Sequence, residues 1–170
     1  MLWFAVVVLI VLFGCVVFIG APYVPSQRKY VRRAFEHFKL GPDDVLVDGG
    51  SGDGVVLRIA ASFGAWAIGY EVNPVLVIIS KLLSFSNEKI DTKLANFWNV
   101  QFPDATTLIY AFAVSRDESR LVAIVQRESN RLDRPLKLLC HGSPLKKRQP
   151  AESFDAYHLY IFQPLQVKKA

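Results

Sequence analysis

From Leu2 to Ile19 the chain is almost unbroken aliphatic and aromatic residues, and no charged side chain precedes Arg28. As a helix these roughly 18 residues reach ~27 Å, close to the ~30 Å hydrocarbon core of a bilayer. A cleaved signal peptide needs a basic start and a small-residue cleavage site, and neither is present. An uncleaved transmembrane anchor over residues 1–20 is therefore expected. The nearest positive cluster, Arg28, Lys29, Arg32 and Arg33, follows the span. Basic flanks stay inside, so the N-terminus is expected outside and the remainder in the cytoplasm, or in the matrix of a mitochondrion.

Two prolines in Ala21–Pro25 end the span and impose an extended connector. Ser26 is expected to cap a helix running to about Leu40, with Val31, Ala34, Phe35 and Phe38 on one face and the four basic residues on the rest. That basic face suits phospholipid, or an acidic partner. Residues 21–41 are thus read as connector and amphipathic helix, and 42–170 as the main domain. There the apolar pattern alternates between strand and helix. Val45–Val47, Ala65–Tyr70, Thr92–Phe97, Thr107–Val114, Leu136–Cys140 and Ala156–Phe162 read as strands. Val55–Phe63, Val75–Leu83 behind Pro74, and Asp117–Leu132 read as helices. The alternation predicts an α/β fold around a doubly wound, mostly parallel sheet.

The composition, 52% hydrophobic and 21% charged, excludes intrinsic disorder. A net charge of +5 raises the question of nucleic acid, but the positives concentrate beside the span and at Lys146–Arg148 without an RNA-binding motif, so none is expected. Cys15 falls in the span and Cys140 in a later apolar run, an arrangement that fits unpaired thiols in a reducing compartment. No metal site is expected, because no second ligand pair stands near Cys140 and His141. His37, His141 and His158 are scattered and read as structural or exposed.

Chemistry concentrates in Asp48-Gly49-Gly50-Ser51-Gly52-Asp53-Gly54, at the end of the first strand. Ligands of open α/β sheets bind beyond the carboxyl ends of strands, and a helix beginning immediately offers free amides to an anion. A dinucleotide fingerprint fails here, since the third glycine position, counted from Gly50, is Val55. The glycines fall instead at Gly50, Gly52 and Gly54, two residues after an acid.

This D-x-G-x-G-x-G pattern resembles motif I of class I S-adenosylmethionine-dependent methyltransferases, whose second acid, at the next strand end, is matched by Glu71 in Gly69-Tyr70-Glu71-Val72-Asn73-Pro74. With Ala21-Pro22-Tyr23-Val24-Pro25-Ser26 and Asn96-Phe97-Trp98 in order behind one span, the chain resembles small membrane-anchored protein-lysine methyltransferases. The resemblance is to the mitochondrial ATP synthase c-subunit and adenine nucleotide translocase type, and to bacterial relatives. It implies a Rossmann-like fold and S-adenosyl-L-methionine as cofactor, with a lysine of a membrane protein as acceptor. It also implies site roles: Asp48 for the methionyl ammonium, or else as a cap on the turn; Gly50, Ser51, Gly52 and Gly54 along the amino-acid portion; Asp53 and Asn73 as loop supports. Glu71 would hold the ribose, and Asn96, Phe97 and Trp98 the adenine side. Tyr23 and Ser26 would neighbour the methyl-donor end. Asn96 departs from the Asp common in the mitochondrial type. No catalytic base is nominated. Methylation of a lipid or quinone head group, or cofactor binding without catalysis, are the alternatives.

Overall fold

A computed structural model describes residue 3 and residues 26–113 and 116–165. Trp3 apart, the expected span lies outside these residues, as do Cys15, the connector with Tyr23, and Val114. Among the described residues no helix is long and apolar enough to cross a membrane. The chain runs α1 (Arg28–His37), β1 (Val45–Gly49), α2 (Val55–Ser62), β2 (Trp66–Glu71), α3 (Pro74–Ser84), β3 (Ile90–Leu94), β4 (Leu108–Ala113), α4 (Glu118–Leu132), β5 (Leu136–Gly142), β6 (Glu152–Phe154) and β7 (Tyr157–Phe162).

The strands form one sheet in the order β3-β2-β1-β4-β5-β7-β6. The first five neighbours pair in parallel, and β7 and β6 close the edge antiparallel. Successive residues of β1 face opposite layers, and both are buried. Leu46 packs with Val31 and Phe35 of α1 and Leu57 of α2, whereas Val47 packs with Leu121 and Val125 of α4. Burial on both faces is what the unbroken Val-Leu-Val run requires.

Three expectations need correction. Ser26 caps nothing: the residue before α1 is Gln27, without a side-chain cap. The helix also stops at His37, because Lys39 turns left-handed at φ 56° and the Leu40 amide donates back to the Phe35 carbonyl. Second, the basic face of α1 is partly engaged. Arg32 donates to Ser62 Oγ at 3.2 Å and lies over Phe63, while Arg33 pairs with Asp155 at 3.4 Å. Third, the strand expected at Thr92–Phe97 ends at Leu94, and Phe97–Asn99 is a single 3₁₀ turn capped by the Asn96 side chain. Val31, Ala34 and Phe35 of α1 share a hydrophobic cluster with residues of β1, α2 and β4.

Candidate functional site

The glycine turn leaves β1 with three left-handed residues, Gly50 at φ 88°, Gly52 at 56° and Gly54 at 79°. Only glycine adopts these angles without a Cβ penalty, and two positions add a steric demand. A Cβ on Gly54 would stand 2.2 Å from Ser80 Oγ of α3. At Gly49 it would stand 2.8 Å from the Phe97 ring. Phe97 therefore packs directly beneath the turn, and it stacks on Phe102 at 5.3 Å. A Cβ on Gly50 would meet nothing within 4 Å, so the turn is open on that side.

Glu71 holds this turn from the next strand. Its Oε2 accepts the Gly52 amide at 2.9 Å, and its Oε1 accepts the amides of Val72 and Asn73, both at 2.8 Å. A carboxylate oxygen accepts about two hydrogen bonds, so Oε1 is filled and Oε2 keeps one place for a ligand hydroxyl. Asn73 Oδ1 accepts from Val75 at 2.9 Å and caps α3, whose first residue is Pro74. Asp53 likewise supports the loop: it accepts from the Val55 amide at 3.2 Å and pairs with Arg58 at 3.2 Å.

Asp48 is buried, and burial first, then the nearby Glu71 charge, pushes its carboxyl up to about 8. A carboxyl so placed gains by receiving a cationic group. Ser51 Oγ is buried without a hydrogen-bond partner. An acid awaiting a cation, an orphaned hydroxyl and an open glycine cradle together fit a ligand with an ammonium and hydroxyls.

The expected free amides are fewer than the motif suggests: among the described residues those of Asp53, Val56 and Leu57 make no hydrogen bond, whereas the rest of the turn is engaged. Gly50 and Ser51 donate to the Tyr70 carbonyl at 2.8 and 3.2 Å, and Gly54 donates to the Ser51 carbonyl at 2.9 Å. Gly52 is held by Glu71 and Val55 by Asp53, so the donors left to a ligand are at Asp53 and in the first turn of α2. Of the adenine-side candidates, Phe97 is core, Trp98 is half-buried beneath the Arg120 guanidinium at 4.6 Å, and exposed Asn96 accepts the Trp98 amide at 3.1 Å. Among the described residues no three His, Cys, Asp or Glu side chains converge as metal ligands. Cys140 is buried, and burial pushes its thiol to about 12, which keeps it unreactive.

No protein-family model matches the chain. Over 54 residues it is 43% identical to a protein-lysine N-methyltransferase of Saccharolobus islandicus, covering 31% of this chain and 34% of that protein. Over 110 residues it is 29% identical to the ATP synthase c-subunit lysine N-methyltransferase of Homo sapiens, covering 63% of this chain and 46% of that one. The chain thus spans between about a third and a half of the length of these curated relatives. Among solved structures, an RNA methyltransferase from Salinibacter ruber in complex with S-adenosyl-L-homocysteine superposes with a TM-score of 0.73 at 21% identity, over 86% of this chain and 98% of that one. A geranyl diphosphate methyltransferase in complex with SAM gives 0.54 at 16% identity, over 72% and 52%. The chain has the class I methyltransferase fold, and its sequence is similar to that of protein-lysine N-methyltransferases.

Proposed function

We propose that the protein is a membrane-anchored S-adenosylmethionine-dependent methyltransferase that N-methylates a lysine of a membrane protein. The observation that carries the cofactor assignment is the pairing of two carboxyl groups, Asp48 and Glu71, around an open glycine turn. Such a site repels a pyrophosphate and favours a cationic, hydroxyl-bearing ligand. Asp48 would hold the methionyl ammonium, Glu71 a ribose hydroxyl, and the open side of Gly50 the amino-acid portion. The cofactor supplies an activated methyl group; the chain binds it, orients it and excludes water.

The acceptor class rests on similarity to lysine methyltransferases and on where the chain enters the domain. The Ser26 hydroxyl neighbours that of Tyr110, which pairs in register with Asp48. The chain therefore reaches α1 at the end of the sheet that carries the glycine turn. An anchor over residues 2–19 would hold that end towards the bilayer, with the domain in the cytoplasm or matrix. Tethering raises the effective concentration of a membrane-embedded acceptor without any new contact.

Incubating the full chain with host membranes and methyl-labelled S-adenosylmethionine tests this reading. Label recovered as methyllysine after hydrolysis of the protein fraction is expected. Label confined to the organic phase would indicate a lipid or quinone acceptor instead, and binding without label would indicate a non-catalytic protein.

A further inference from the structure

The carboxyl-end region of the sheet, beside Asp48, holds a second group of side chains that the cofactor site does not use. Tyr110 on β4 stands in register with Asp48, and His141 on β5 with Tyr157 on β7. The His141 ring stacks on Tyr157 at 4.6 Å and 12°, and the Phe112 ring meets it edge-on at 5.3 Å. The Tyr110 and Tyr157 hydroxyls neighbour each other, and Tyr110 also senses the Asp48 charge. Yet Tyr110 Oη, Tyr157 Oη and His141 Nδ1 are all buried without a hydrogen bond of good geometry.

Such an arrangement is costly: the hydroxyls of Ser26, Tyr110 and Tyr157 approach one another without a well-formed bond, and His141 Nδ1 has given up water with nothing in return. Phenylalanine at either tyrosine would fill the same space without that cost. Burial raises both tyrosines and lowers His141, so all three groups are held neutral. Neutral hydroxyls and an imidazole nitrogen, walled by aromatic faces, accept hydrogen bonds from an amine and attract its cation.

We propose that Tyr110, Tyr157 and His141 form the subsite that receives the acceptor amine, an assignment that rests on the methyltransferase reading above. The arriving ammonium loses one proton to water as it enters the buried site, where the charged form is disfavoured, and His141 Nδ1 accepts an N–H hydrogen bond from the neutral amine. The freed nitrogen lone pair bonds to the methyl carbon as the carbon–sulfur bond breaks, its electron pair passing to sulfur. The methylated nitrogen, now positive, stays protonated or sheds its second proton to water. The tyrosine hydroxyls accept N–H hydrogen bonds and orient the lone pair.

Calorimetric titration of the full chain in detergent tests this with two ligands. S-adenosylhomocysteine occupies the cofactor site alone, whereas sinefungin adds an amine where the sulfonium methyl would stand. Tyr110→Phe, Tyr157→Phe and His141→Phe are each expected to lower the preference for sinefungin by about tenfold, the scale of a lost hydrogen bond to a charged group. Affinity for S-adenosylhomocysteine should stay within about twofold, and thermal unfolding of the two tyrosine variants should not fall. An unchanged preference in all three variants would overturn the subsite. Failure of the wild-type chain to bind S-adenosylhomocysteine would overturn the methyltransferase reading itself, and the subsite with it.

Discussion

Glu71 accepts the amide of Gly52 at 2.9 Å across 19 positions of chain, and this one bond ties the turn after β1 to the turn after β2. Because Glu71 also accepts two amides of its own turn, it sets the shape of both loops. Glu71→Ala strands three amides, at about 1–3 kcal/mol for a buried unsatisfied group, and removes the ribose acceptor. A lower midpoint in urea and at least tenfold weaker S-adenosylmethionine binding are expected. Glu71→Gln, with one acceptor oxygen left, should fall between.

Gly69 tests how tightly β2 packs on the turn. An added Cβ would stand 2.4 Å from Ser51 Oγ and 2.7 Å from Leu57 Cδ1. The backbone angle of Gly69 is ordinary, so Gly69→Ala isolates the steric effect. The expected loss is about 1–3 kcal/mol, as in other overpacked cores, read as a shift of the thermal midpoint.

Asp48 makes stability depend on pH. Its carboxyl is raised from 3.8 to about 8, so between those values the folded chain holds a proton that the unfolded chain has released. Stability is then full below about pH 4 as far as this group is concerned, and it declines as pH rises towards 8. A ligand ammonium beside Asp48 restores the charged form, so binding should release up to one proton near pH 6–7. Calorimetry in buffers of different ionisation heat reads that release, and Asp48→Asn should abolish it while flattening the stability profile.

Glu128 on α4 is buried and accepts from Arg127 and Arg131, both at 2.9 Å, and from the Phe102 amide at 3.2 Å. It thereby fixes the segment whose Phe102 supports Phe97 under the glycine turn. Removing one partner of a buried charged network costs about 3–5 kcal/mol. Glu128→Ala is expected to show that loss in denaturant unfolding, with weaker cofactor binding as a consequence.

Local pattern was enough for much of this. The apolar run before a glycine-rich turn located β1, and Glu71 was found by its place at the end of the next strand. Pro74 marked the start of α3, where its missing amide is harmless. What sequence alone did not reveal depends on contacts between distant residues. β6 is three residues long with two exposed, and only its pairing with β7 makes it a strand. The stack of His141 on Tyr157 arises from that same antiparallel edge, so His141 reads in isolation as a stray histidine. The engagement of the Gly50, Ser51 and Gly52 amides follows from the Tyr70 carbonyl and Glu71, both on β2. The role of Ser26 also hangs on a distant residue, Tyr110, rather than on the helix beside it.

The most direct test of the central claim is calorimetric titration of the detergent-purified chain with S-adenosylmethionine and, separately, with NADH. Binding of the first, weakened by Glu71→Ala, and no binding of the second are predicted. Folded protein that ignores S-adenosylmethionine, or binds NADH in its place, would contradict the account.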